Sequence, residues 1–359
     1  GRDIIHMEIG EPDFATPKTI VDAGIRQLQT GDIKYTPAAG LPELREKIAD
    51  YYQTRYAAKV DKERIFVTPG ASGAFLLALG VSLNPGDELL MADPCYPCNS
   101  NFIKLFEGKA KTLPVDATTS YQLTAELIKQ HWSPSTKGVL IASPSNPTGT
   151  LIEPEEFKHC IQAANERDGC FYSDEIYHGL VYGKHAPTAL EFSNNAFVIN
   201  SFSKYFGMTG WRIGWLIVPD EFVVATEKLA QNIFIATPTL SQYAAIAAFD
   251  GQTLEELELR RAEFSARRDY LYDALLKLGF DIPVKPDGAF YIYANCAKFT
   301  DDSYQFALAL LEAEGVAVTP GLDFGSYQAH QHLRFAYTTS IERMAVAMQR
   351  LERFINRND

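Results

Sequence analysis

From residue 65 onward, short runs rich in β-branched and aliphatic side chains alternate with longer stretches whose apolar positions recur at helical spacing. The runs at 65–68, 88–92, 138–142, 170–173, 196–200 and 212–218 predict strands, and the stretches at 72–83, 155–167 and 221–232 predict helices between them. Strands separated by helices require crossover connections, hence a mostly parallel sheet covered on both faces. After Asp250 the pattern changes. A charged amphipathic segment at 254–278 ends at Gly279, a residue suited to a left-handed helix cap. It is followed by two β-like segments over 280–294, a helix at 303–314, strands near Val316 and Leu333, and a terminal helix opened by Thr339 and Glu342 as a capping box. Pro17 and Pro42 each suit a first helical turn. The expected fold class is α/β: a large domain over 16–260 with a mostly parallel sheet flanked by helices, and a smaller α+β domain over 261–359 joined by the N-terminal segment 1–15.

Composition narrows the function classes. The 359 residues are enough for two or three domains without disulfide or metal staples. Forty-five acidic against 33 basic side chains give a net charge of -12, which opposes a sequence-independent grip on nucleic acid. The longest apolar run, 74–83, is interrupted by glycine and is about half the roughly 20 residues that a bilayer span needs, so no membrane association is expected. Five cysteines do not make a disulfide framework and fit a reducing, cytoplasmic setting. The N-terminus carries no basic, apolar, small-residue leader pattern.

In an open parallel α/β sheet, ligands bind outside the carboxyl ends of the strands. The segments that follow the expected strands are Pro69-Gly70-Ala71-Ser72-Gly73, Asp93-Pro94-Cys95-Tyr96, Ser145-Asn146-Pro147-Thr148-Gly149, Asp174-Glu175-Ile176-Tyr177 and Ser201-Phe202-Ser203-Lys204. Loops are polar in any protein, but five on one edge with different chemical capabilities point to a site. Gly70 to Gly73 joins a strand to a helix and lets backbone N–H groups approach an anion, with Ser72 adding a hydroxyl. It is neither a Walker A nor a dinucleotide fingerprint, so a phosphate needs a second contact set. Residues 201–212 supply one: Ser201, Ser203 and Arg212 flank Lys204, whose apolar surroundings and neighbouring cation lower its proton affinity and suit it to Schiff-base chemistry.

The segments SFSKYFGMTGWRIGW, SPSNPTG, DEIY and HLRFAY resemble those of the class I pyridoxal phosphate (PLP) dependent aminotransferases, the fold type I family typified by aspartate aminotransferase. The resemblance runs in the family's order from MEIGEPDF at Met7 to Arg334. It implies that Lys204 holds PLP as a Schiff base and then moves the substrate proton. It further implies that Asp174 pairs with the pyridine nitrogen, that Tyr177 and Asn146 hydrogen-bond the phenolic oxygen, and that Tyr96 stacks on the ring. Ser201, Ser203, Arg212, Ser72 and the Ala71 backbone would hold the phosphate, Arg334 the substrate carboxylate, and the backbone at Gly10 would close over substrate. Tyr35 resembles the tyrosine that reaches the neighbouring subunit's cofactor phosphate, which implies a homodimer with shared sites.

The activity so implied is transfer of an amino group from an α-amino acid to a 2-oxo acid by a ping-pong route. A β-eliminating C–S lyase of the same fold shares these contacts and is the alternative. A non-catalytic effector-binding module on this fold is a third reading, opposed by the full set of polar contacts. Other features carry less. Cys95 and Cys98 form a CxxC without a second pair or nearby histidines, so no metal site is expected. His178 is expected to be a packed neighbour of the site, and the pair His330 and His332 lacks a third ligand. Trp211 and Trp215 are expected to pack, and Arg260, Arg261, Arg267 and Arg268 to line a solvated helix face among glutamates.

Overall fold

Twelve strands form in the computed structural model, which describes residues 1–358: β1 (Ile5–His6), β2 (Ile65–Thr68), β3 (Glu88–Asp93), β4 (Lys109–Pro114), β5 (Thr136–Ala142), β6 (Cys170–Asp174), β7 (Ala196–Ser201), β8 (Gly214–Ile217), β9 (Tyr291–Asn295), β10 (Val316–Ala317), β11 (Thr319–Pro320) and β12 (His332–Ala336). Seven of them make one sheet in the order β2-β8-β7-β6-β5-β3-β4. All its pairings are parallel except the two made by β8, with β2 and with β7. Strands β2, β7 and β8 are buried along their whole length, because helices such as Gly70–Ser82 and Pro154–Asn165 cover the sheet faces.

Two departures from the sequence pattern matter. The edge strand β4 was not expected: its sequence KAKTLP carries two lysines and buries only Leu113, which is how a sheet edge avoids pairing with another chain. The strand expected over 212–218 is Gly214–Ile217, and it runs antiparallel. No crossover helix separates it from β7, only a 3-10 turn at Thr209–Trp211, and a parallel connection needs more chain than that. Arg212 lies outside the strand with a left-handed backbone, φ 52°.

Residues after 250 build a second, three-stranded sheet, β11-β12-β9, antiparallel throughout. The N-terminal β1 pairs in parallel with β10, so the first residues of the chain join this part of the molecule. Of the two β-like segments over 280–294 only the second is a strand; the first contributes a single bridge, Asp281 to Asn295. The helix Gly251–Leu278 runs unbroken through residue 260 and ends at Gly279 with φ 97°. Its arginines do not form a solvated face. Arg267 and Arg268 are buried, and Arg267 donates to Asp13 at 2.7 Å while its guanidinium stacks on Phe14. Arg260 donates to the Ala15 carbonyl. A count of helical charges cannot show that the N-terminal segment packs across them.

Smaller corrections concern caps. Pro42 opens the helix Pro42–Tyr56 as expected, whereas Pro17 is the residue before Lys18–Thr30. The last helix, Ile341–Asn358, is capped by Ser340 rather than Thr339, the Ser340 hydroxyl accepting the Arg343 N–H. His332 stacks on Tyr293, and Trp215 is fully buried.

The carboxyl end of β3 is tied to the segment before β12. Asp93 accepts from the Ser326 N–H and hydroxyl and from the Tyr327 N–H, and the Cys95 N–H donates to the Phe324 carbonyl at 2.8 Å. Gly325 lies so close to Asp93 that a Cβ there would meet its carboxylate at 1.8 Å. Asp93→Ala is therefore expected to cost about 2–3 kcal/mol in chemical denaturation, since it removes a buried carboxylate that accepts three hydrogen bonds from this segment. Amide exchange at Ser326 and Tyr327 should accelerate; unchanged protection there would contradict this linkage.

Candidate active site

Parallel strands deliver their carboxyl ends to one edge, and the antiparallel β8 delivers its amino end to the same edge. Loops after β2, β3, β5, β6 and β7, together with the residues before β8, therefore converge. They line a cavity of about 310 Å³. Gly10, Ala71, Ser72, Tyr96, Asn146, Asp174, Tyr177, Ser201, Ser203, Lys204, Arg212 and Arg334, all singled out from the sequence, surround it. Arg334 comes from β12 and Gly10 from the N-terminal segment, so the cavity lies where the second sheet meets the first.

One end of the cavity is built for an anion. The helix Gly70–Ser82 directs its first backbone N–H groups toward it, with Ser72 in the first turn. Gly70 has φ 73°, and a Cβ there would lie 2.6 Å from Arg212 Nη2. Glycine thus lets the guanidinium pack against the helix terminus. The left-handed backbone of Arg212 turns it back into the cavity, and its Nη1 donates to the Thr209 carbonyl at 3.1 Å. Ser201 donates to Ser203 at 3.0 Å, which places two hydroxyls beside these groups.

Lys204 follows immediately. Its Nζ donates to the Gly10 carbonyl at 2.6 Å and lies 5.8 Å from the centre of the Phe290 ring. Burial lowers its pKa to about 8; Arg334 and Arg212 push the same way and Glu11 opposes them. Asp174 lies on the cavity wall, and burial raises its carboxyl to about 6 although the Ile176 N–H donates to it at 3.1 Å. Arg334 donates to Asn146 Oδ1 at 2.9 Å and to the Glu8 carbonyl at 2.5 Å. Its guanidinium stands 4.3 Å from the Tyr291 ring centre and 4.7 Å from that of Phe324, and its buried Nε has no partner.

A neutral network lies behind Asp174 and Tyr177. Burial pushes Glu175 up to about 8, against hydrogen bonds from the Ala189 N–H and the Ser173 and Thr188 hydroxyls. Burial also takes His178 down to about 3, so its ring is neutral; Nε2 then donates to the Ser143 carbonyl at 3.1 Å and Nδ1 faces the Tyr56 hydroxyl. His178 is thus a packed neighbour that ties the loop after β6 to the loop after β5, which carries Asn146.

Sequence reasoning missed Tyr291, Thr209, Phe75, Phe102, Ile176 and Ala142, which also line the cavity. Ile176 sits inside the DEIY segment and was legible there; Phe75, Phe102 and Tyr291 belong to elements that read as ordinary packing. Tyr35 lies outside the cavity and is 81% exposed.

Asp174 supplies a pH test. Its folded-state pKa is raised, so ionisation opposes folding above about pH 6 and costs nothing below about pH 4, where both states are protonated. Asp174→Asn should stabilise the cofactor-free protein by about 3 kcal/mol at pH 7, a gain that fades on acidification to pH 4. Thermal denaturation at the two pH values checks this, and a destabilised variant at pH 7 would contradict it.

The model of the family "Aminotransferase class I and II" matches residues 2–351. A (5-formylfuran-3-yl)methyl phosphate transaminase of Methanocaldococcus jannaschii is 40% identical over 99% of this chain and 93% of its own. A valine–pyruvate aminotransferase of Mycobacterium tuberculosis is 38% identical, covering 97% of this chain and 90% of its own. The crystal structure of an aminotransferase from Mycobacterium tuberculosis superposes with a TM-score of 0.95 at 37% identity, over 99% of this chain and 92% of that one. The family match spans nearly the whole chain and the superposition is as complete, so the chain belongs to the class I and II aminotransferases, as an aminotransferase of fold type I.

Proposed function

We propose that this aminotransferase binds pyridoxal 5'-phosphate in the 310 Å³ cavity, with Lys204 as the covalent attachment point and Arg334 as the carboxylate clamp. The donor set fits the group end to end. Ser72, Ser201, Ser203, Arg212 and the helix N-terminus at Ala71 suit a phosphate, buried Asp174 suits a protonated ring nitrogen, and Asn146 and Tyr177 suit a phenolic oxygen. Tyr96 provides an aromatic face. When bound, PLP supplies an electron sink for the carbon that loses its proton.

The protein's own contributions follow from charge and burial. Asp174, desolvated and in need of a cation, holds a proton on the ring nitrogen by pairing with it. Lys204, with a pKa near 8, has an appreciable neutral fraction at neutral pH and can attack a carbonyl, and once released it can carry a proton at Nζ. Arg334 offers a planar pair of N–H groups to an α-carboxylate, with Asn146 fixing its orientation. The N-terminal segment stands over both cations, with the Gly10 carbonyl on Lys204 and the Glu8 carbonyl on Arg334.

The single observation that carries the reading is Lys204 buried between an anion cradle and a carboxylate clamp. The relatives reported above bear transaminase names, which supports transfer rather than β-elimination. The cations lining the cavity among the described residues are Lys204, Arg212 and Arg334, and Phe75, Phe102, Ile176 and Tyr96 supply an apolar flank, so the proposed donor is a neutral α-amino acid. The proposal extends to a homodimer in which the exposed Tyr35 reaches the partner's phosphate site. It also includes a large PLP-binding domain over 16–260 with residues 1–15 and 261–359 as the small domain, supported by the β1–β10 pairing, and a reducing, cytoplasmic setting that suits five free cysteines.

Lys204→Ala should abolish both the visible absorption of the PLP-loaded protein and transamination, with circular dichroism unchanged; wild-type turnover would refute the assignment. Capture of PLP by the cofactor-free protein should accelerate as pH rises through about 8, as the amine loses its proton, and then level off. A rate flat between pH 7 and 9 would contradict this. A panel of amino donors with pyruvate and 2-oxoglutarate should favour neutral side chains; preference for aspartate would overturn that part.

A further inference from the structure

Tyr291, the first residue of β9, is 1% exposed and lies where three elements of the site meet. Its hydroxyl is 2.9 Å from that of Tyr177. Its ring lies under the Arg334 guanidinium, 4.3 Å from Cζ to the ring centre. It also reaches the N-terminal segment: a Cβ on Gly10 would sit 2.2 Å from the Tyr291 hydroxyl, so position 10 has to be glycine for the two to coexist.

Each hydroxyl of the tyrosine pair has one proton to give. If Tyr177 donates its proton into the cavity, its oxygen is left to accept, and the neighbour in place to donate to it is Tyr291. Such a chain polarises the outer O–H and strengthens the bond it makes. Burial raises the pKa of both tyrosines, so both protons are held at working pH. The face of the same ring attracts the Arg334 cation.

We infer that Tyr291 is a positioning residue with two separable duties, its hydroxyl strengthening the Tyr177 donor and its ring bracing Arg334, so that the cofactor contact and the carboxylate contact share one support. The inference rests on the cofactor reading above. Since the hydroxyl serves one duty and the ring the other, two substitutions separate them.

The test uses PLP-loaded Tyr291→Phe, Tyr291→Leu and, as a reference, Tyr177→Phe, each followed by titration of the visible band and by KM for the best amino donor. A weaker hydrogen bond leaves more negative charge on the phenolic oxygen, which retains the proton of the lysine-bound cofactor to higher pH. Tyr291→Phe should therefore move the band's titration upward by about half a unit to one unit, the worth of one hydrogen bond. The shift should be less than that of Tyr177→Phe, with KM changed by less than about twofold because the ring remains. Tyr291→Leu should show the same spectral shift and a KM raised roughly fivefold or more, through loss of the cation–π support. An unshifted Tyr291→Phe titration overturns the inference, as does a Tyr291→Leu protein with wild-type KM. Should wild-type protein show no visible band with PLP, the cofactor reading itself falls, a result distinct from either of those.

Discussion

The chemistry proposed for this protein depends on taking one ammonium group out of water. Lys204 is buried among Arg212, Arg334 and the Phe290 ring, with the Gly10 carbonyl as its hydrogen-bond acceptor. Desolvation and two nearby positive charges disfavour its protonated form, and the resulting neutral fraction suits a surface-type residue to the nucleophilic role proposed for it. The rest of the site consists of what that placement requires. Arg212 and Arg334 line the same cavity as the proposed sites for anions, and Asp174 lines it as the proposed partner of a cation.

The sheet makes such placement possible. Its parallel strands aim five loops at one edge, and the reversal of β8 adds Arg212 to that edge rather than to the opposite one. Behind the loops, Glu175 and His178 are each driven toward their neutral form, so the loop bearing Asp174 and Tyr177 is fastened to the Ser143 carbonyl without placing a net charge beneath Asp174. In front, the N-terminal segment lays its Glu8 and Gly10 carbonyls on the two cations. Asp93, gripping the Ser326 and Tyr327 amides, holds the Arg334-bearing side against the sheet.

Much of this was legible in the sequence because strand ends and loop chemistry are local properties. The segments after β2, β5, β6 and β7 named their own candidate site residues, and all but one of the candidates drawn from them and from the family resemblance line one cavity. Tyr35 is the exception: it lies exposed on this protomer, and the duty proposed for it belongs to a second copy. What escaped was non-local. Strand β4 carries an edge strand's polar pattern. The direction of β8 depends on a missing crossover helix, and Arg267 packs against a segment some 250 residues away in the chain while Arg268 donates to the Pro286 carbonyl and stacks on Tyr182. Tyr291 reads as one more apolar position in a strand; only folding brings its hydroxyl to Tyr177 and its ring beneath Arg334.

Reduction of the PLP-loaded protein with borohydride, followed by peptide mapping, addresses the central claim most directly. The account expects a single stable adduct on the peptide that contains Lys204. An adduct on another residue, or none in cofactor-saturated protein, would contradict it.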